Sequence, residues 1–126
     1  MTVLIVDDYP DALEVWDIFL SAAGFTVATA TDGLAGLEAA RTLRPEVVVM
    51  DLQMPGLSGL ELAQALKADA RTAHIPLIAV SGNSRTTATE MRAAGFASLL
   101  VKPCDPDTLV AEIRRVAVAG STLPPA

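Results

Sequence analysis

An α/β fold, with five parallel strands in the order 2-1-3-4-5 and helices on both faces of a doubly wound sheet, follows from three observations on this 126-residue chain. Strand-like apolar runs alternate five times with segments of helical periodicity. Several of the runs are apolar throughout, as strands covered on both faces are. Each connection has room for one crossover helix, which implies parallel pairing and right-handed βαβ units. The strand order reverses between strands one and three, and in open sheets ligands bind at the carboxyl edge beside such a reversal.

The first strand is the run Val3 to Val6, followed by Asp7 and Asp8. Pro10-Asp11 opens a helix whose apolar positions Leu13, Trp16, Leu20 and Ala23 share one face, and Gly24 ends it. Phe25 to Thr29 alternates apolar and polar, as a half-exposed edge strand does. Gly33 to Leu43 reads as a helix, with Leu34, Leu37 and Ala40 recurring and Arg41 and Arg44 near its end; Pro45 stops it. Val47 to Met50 is uniformly apolar and largely β-branched, which fits a central strand. After the Pro55-Gly56 turn signal, residues 57–70 carry a helical stripe at Leu60, Ala63 and Leu66-Lys67. The fourth strand is Leu77 to Val80, then a weaker helix over 86–94 closed by Gly95, then a fifth strand over 97–101. The last helix runs over 107–119 with Leu109, Ile113, Val116 and Ala117 expected inward. The domain is therefore expected over 1–119, with 120–126 a flexible tail or linker stub lacking periodicity.

Composition narrows the function. The apolar share is 52% but aromatics make up only 4%, so Val, Leu, Ile and Ala must fill the core. A net charge of −6 offers no electrostatic footprint for nucleic acid or an anionic membrane. No apolar run approaches the ~20 residues of a membrane span, and no charged region precedes the first strand as in a secretory leader. Cys104 is the only cysteine, which excludes an internal disulfide and fits a reducing cytosol.

Polar residues stand where the apolar runs end: Asp7 and Asp8 after strand one, Asp51 after strand three, Ser81 after strand four and Lys102 after strand five. At one sheet edge they bring three carboxylates, a hydroxyl and an ammonium together. Mg²⁺ takes oxygen ligands and binds through one or two carboxylates with substrate phosphate. Asp8 and Asp51 are placed to ligate it directly, and Asp7 directly or through water. Unneutralised, these carboxylates repel one another and at least one pKa rises. Lys102 offers a counter-charge and a point-like phosphate contact, and Ser81 one hydrogen bond. A carboxylate is also a nucleophile toward phosphorus, and Asp51, on the most apolar and central strand before a Pro-Gly turn, is the candidate. Simpler readings exist singly: Asp8 as a cap of the first helix, Ser81 as a cap of the fourth, Lys102 as a snorkelling surface residue. None explains the conjunction at four strand ends.

With Val6-Asp7-Asp8, Met50-Asp51-Leu52-Gln53-Met54-Pro55-Gly56, Ser81 and Val101-Lys102-Pro103 in this order and spacing, the chain resembles the receiver domains of two-component response regulators, flavodoxin-like in fold and similar to chemotaxis regulators. The resemblance covers essentially everything to about Ala119. It implies phosphotransfer to Asp51 from a phosphohistidine of a histidine kinase or histidine phosphotransfer protein. It implies Mg²⁺ held by Asp8, Asp51 and the Gln53 carbonyl with Asp7 beside them, and a cis Lys102-Pro103 bond. Such a module is cytoplasmic, switches partner binding and slowly dephosphorylates itself, and is not a turnover enzyme. In the family, the Ser/Thr moves toward the phosphoryl group as an aromatic on strand five swings inward. The corresponding residue here is Leu99, so the aromatic readout cannot operate as such; Phe96 is off register. Gln53 and Asn83 stand where family side chains tune hydrolysis.

Several residues carry less. Cys104 reads as a small apolar filler and His74 as a loop residue without a second metal ligand. Trp16 reads as core, though its helix is the kinase-docking helix by family analogy. Leu57-Ser58-Gly59 reads as an exposed loop beside the site. An Asp-nucleophile phosphatase would need cap elements and a second acid/base Asp, but Gln53 occupies the position two beyond Asp51. A non-catalytic interaction domain is opposed by the intact Asp, Ser and Lys set and favoured only by Leu99. Flavin binding is opposed by the acidic first loop, which repels phosphate in the absence of metal.

Overall fold

The computed structural model describes residues 1–83 and 85–119; the expected tail at 120–126 lies outside them. Strands β1 (Thr2–Val6), β2 (Thr26–Ala30), β3 (Val47–Asp51), β4 (Leu77–Ser81) and β5 (Ser98–Val101) form one sheet in the order β2-β1-β3-β4-β5. Every pairing is parallel. Helices α1 (Pro10–Ala22), α2 (Gly33–Leu43), α3 (Gly59–Ala68), α4 (Ala88–Ala93) and α5 (Pro106–Ala119) make the crossovers and cover the sheet. No helix among the described residues is long and apolar enough to cross a membrane.

Strand alternation builds two cores. Leu4, Val6, Val48, Met50, Leu77 and Ala79 pack with Ala40, Leu62, Leu66 and Met91 of α2, α3 and α4. Val3, Ile5, Val47, Val49, Ile78 and Val80 pack with Leu13, Leu20, Leu109, Ile113 and Val116 of α1 and α5. Successive side chains point to opposite faces of a strand, so each central strand feeds both cores and must be apolar at every position.

Helix boundaries depart from the expected ones for local reasons. Ser58 caps α3: its hydroxyl accepts from the Glu61 amide while the Glu61 carboxylate accepts from the Ser58 amide. That capping box starts the helix at Gly59 rather than at residue 57. Thr87 caps α4 through its hydroxyl, which accepts from the Glu90 amide, and this leaves Thr86 outside the helix. Asp32 caps α2 by accepting from the Ala35 amide. At the other end of α2, Arg44 takes the left-handed conformation, φ 48°, ψ 61°, with its amide still donating to the Ala40 carbonyl, and Pro45 follows where the helix has ended.

The apolar stripes of α2 and α3 keep Ala40, Ala63 and Leu66 buried as expected, with Leu37 packed at the core's edge, but lose their first positions. Leu34 is 71% and Leu60 47% exposed; Gly33, Gly36 and Ala40 face inward on α2, and Leu62, Ala63 and Leu66 on α3. Glycine permits the close approach, since a Cβ on Gly36 would stand 2.9 Å from a Val6 methyl. On α5, Ala117 is exposed, and the buried charged residue is Glu112, paired with Arg115 at 3.4 Å.

Candidate functional site

The register gathers the predicted residues at one edge. Val6 pairs with Met50, Asp51 with Val80, and Ser81 with Val101, so Asp7 and Lys102 emerge one residue past their strands beside Asp51 and Ser81. Carboxylate oxygens of Asp7, Asp8 and Asp51 lie within 4.8 Å of one another.

Asp51 is 8% exposed, and each of its carboxylate oxygens accepts one hydrogen bond. One oxygen accepts from the Gln53 amide at 2.9 Å, and the other from Lys102 Nζ at 2.7 Å. Lys102 is therefore no free surface lysine. Its own amide donates to the Ser81 carbonyl at 2.8 Å, continuing the β4–β5 ladder, and the Lys102-Pro103 bond is cis. Burial acts to lower the Lys102 pKa, but the hydrogen bond and charge of Asp51, with Asp7 and Asp8 behind, offset this and hold it raised.

Asp7 is buried, and its carboxylate accepts from the Tyr9 amide at 3.0 Å. Burial raises its pKa; Asp51 and Asp8 add to this against the Tyr9 amide and Lys102. Asp8 is exposed and does not cap α1, whose N-cap is Tyr9, with Pro10 opening the helix.

Ser81 is 1% exposed. Its oxygen accepts from the Asn83 amide at 3.0 Å and pairs with Thr86 Oγ1 at 3.1 Å. It caps nothing, because Thr87 serves α4. Gln53 and Asn83 are exposed, and the Asn83 side-chain oxygen accepts from the Arg85 amide. Leu99 is half-buried on the α2–α4 face, in register with Ala79.

Two roles were not expected from the sequence: Gly59, expected in an exposed loop, is buried at the start of α3, and Thr86 meets Ser81. Gly59 brings α3 onto the strand: a Cβ there would stand 2.5 Å from the Asp51 carbonyl oxygen and 2.7 Å from Leu52 Cα. The Ser58-x-x-Glu61 box was the available signal. Thr86 had none, since nothing local tells a hydroxyl in that loop which partner it will meet. Trp16 is half-buried, joins the α1–α5 core and lines a cleft with Asp7, Gly82, Lys102 and Pro103. Burial, and secondarily Asp105, push the half-buried Cys104 thiol upward, away from thiolate chemistry. His74 is exposed.

The donors suit a hard cation: three carboxylates converge, Asp7 among them with a raised pKa, and a carboxylate oxygen that accepts one hydrogen bond keeps a further lone pair for a metal. A pH effect follows. With the folded Asp7 pKa above 3.8, the native state binds more protons than the unfolded one as pH climbs from 3.8, so stability falls through that window. The cost persists at neutral pH. Asp7→Asn keeps an acceptor for the Tyr9 amide and is expected to raise the melting temperature in EDTA by a few degrees at pH 7. It should also flatten the acid slope and reduce stabilisation by added Mg²⁺. A variant melting below the parent in EDTA would contradict this.

The profile of the response regulator receiver domain matches residues 3–114. Protein PilH of Pseudomonas aeruginosa is 36% identical over 115 residues, 90% of this chain and 95% of PilH. The DNA-binding response regulator MtrA of Mycolicibacterium smegmatis is 34% identical over 113 residues, 89% of this chain and 48% of MtrA. The chain thus spans about half the length of the MtrA relatives. Among solved structures, the chemotaxis protein CheY4 of Vibrio cholerae superposes with a TM-score of 0.85 at 32% identity, covering 91% of this chain and 97% of CheY4.

Proposed function

We propose, from the premise that this chain belongs to the response regulator receiver domain family, that Asp51 is the phosphoryl acceptor of a two-component phosphorelay and that residues 1–119 form the working unit. The observation that carries the reading is the meeting of Asp7, Asp8, Asp51 and Lys102 at one strand edge.

An Asp51 oxygen forms a bond to phosphorus as the P–N bond of a phosphohistidine breaks; the imidazole leaves with the bonding electrons and takes up a proton. The donor is a histidine kinase or histidine phosphotransfer protein. Transfer of this kind needs positioning and neutralisation of charge on three oxygens more than covalent help. Asp7, Asp8, Asp51 and the Gln53 carbonyl would hold Mg²⁺, which supplies that neutralisation. Lys102, already on Asp51 at 2.7 Å, turns its ammonium to the transferred group, and Ser81 donates its proton to a phosphoryl oxygen. The phosphorylated state changes partner binding and decays through slow hydrolysis, to which the exposed Gln53 and Asn83 have access. The reading places the chain in the cytoplasm with its donor and entails no direct contact with nucleic acid.

Acetyl phosphate with Mg²⁺ is expected to add one phosphoryl group by intact mass, and EDTA to prevent it. Equal modification in EDTA would refute the assignment of the acidic cluster.

A further inference from the structure

We propose that Thr86 is a positioning residue: its hydroxyl holds Ser81 on the α4 side of the sheet until Asp51 is phosphorylated, and its release carries that event to the start of α4. The inference rests on the phospho-accepting reading above.

Strand alternation supplies the first argument. On β4, Leu77 and Ala79 enter the core beneath α2–α4, whereas Ile78 and Val80 enter the one beneath α1 and α5. Ser81 is in phase with Leu77 and Ala79. Asp51 is in phase with Val47 and Val49, and Lys102 with Leu100, all on the α1–α5 face. Ser81 therefore points to the opposite face from the one where Asp51 meets Lys102.

There its hydroxyl is occupied. A serine oxygen has one proton and two lone pairs. The Asn83 amide takes one lone pair at 3.0 Å, and Thr86 Oγ1, at 3.1 Å, takes the proton or the second lone pair. At 1% exposure Ser81 has little water to replace a lost partner, so turning it toward a phosphoryl oxygen costs the Thr86 contact. Thr86 adjoins Thr87, whose hydroxyl accepts from the Glu90 amide and donates to the Glu90 carboxylate at 2.9 Å. Freeing Thr86 thus loosens the residue that enters the α4 cap. Leu99 has no ring to swing, and the hydroxyl pair gives α4 a polar route to the site.

Beryllofluoride with Mg²⁺, a stable stand-in for the phosphoryl group, tests this through amide shifts in the full chain. Thr86→Val keeps the branched shape and removes the competitor, so its binding midpoint should fall about threefold to tenfold, the worth of one net hydrogen bond. Thr86→Ser should restore the parent midpoint. Free Thr86→Val should also show α4 amides already shifted toward their bound positions. A merely structural role predicts weaker binding and no such shift. Thr86→Ala, at this half-exposed position, serves in the same sense where valine fails to fold. Valine and alanine midpoints equal to or above the parent's, or serine tightening as valine does, overturn the Thr86 role alone. A parent chain that takes up no beryllofluoride overturns the phospho-accepting reading and this one with it.

Discussion

Asp51→Asn will fold, and no phosphoryl group will remain on it after incubation with acetyl phosphate and Mg²⁺. The amide removes the negative oxygen that the proposed acceptor role requires, and no neighbouring carboxylate is placed to substitute for it. Asp7 is buried with its oxygen on the Tyr9 amide and its pKa raised, and Asp8 lies exposed on the loop. The substitution is nearly isosteric, and the Asn oxygen still accepts from the Gln53 amide. What is lost is the charge facing Lys102 across 2.7 Å. The Lys102 side chain is 41% exposed, so water takes over its solvation and the stability change should be small, as for exposed pairs generally. Relief of repulsion with Asp7 and Asp8 acts in the other direction. Mg²⁺ affinity should fall at least tenfold, because one of three convergent carboxylates is gone. Intact mass and a Mg²⁺ titration check both; full-level phosphorylation of the variant would remove Asp51 from the proposed role.

The residues behind that prediction were readable because they sit at ends of runs that admit one interpretation. Val47 to Met50 must be strand, being apolar at every position and feeding both cores, and the residue after such a strand must emerge at the sheet edge. Convergence of Asp7, Asp51, Ser81 and Lys102 then follows from parallel order alone. The faces of helices were less readable. Leu34 and Leu60 look like core positions, yet the close approaches at Gly33, Gly36 and Gly59 seat the helices so that Gly33, Gly36 and Ala40 take the inner face of α2 and Leu62, Ala63 and Leu66 that of α3. A glycine chosen for closeness looks, in a sequence, like one chosen for a turn. The direction of Ser81 was hidden differently: its strand phase was legible, but the Thr86 hydroxyl that meets it depends on the path of the loop between them.

Gly59→Ala should damage both the fold and the site, more than its one added carbon suggests. That carbon would stand 2.5 Å from the Asp51 carbonyl oxygen, 2.7 Å from Leu52 Cα and 3.2 Å from the Asp51 carbonyl carbon. These are backbone atoms, so no side chain can rotate to relieve the contact. Either α3 withdraws or the β3–α3 loop moves. Withdrawal of α3 opens the core around the fully buried Leu62, Ala63 and Leu66 and strains the 3.2 Å bond from the Gly59 amide to the Leu52 carbonyl. A cost of about 1–3 kcal/mol is expected, the usual range for overpacking a tight interior. Movement of the loop displaces Asp51 and Gln53, which the reading above assigns to the acceptor and the cation, so phosphorylation by acetyl phosphate should slow at least tenfold, since small misplacements of reacting groups cost orders of magnitude. Leu60→Ala, one residue on and half exposed, provides the control and should alter neither property appreciably. Urea unfolding separates the stability loss from the rate loss when phosphorylation is followed well below the unfolding transition. If Gly59→Ala matched the parent in both midpoint and rate, the close packing of α3 against the Asp51 backbone would not be what positions the acceptor.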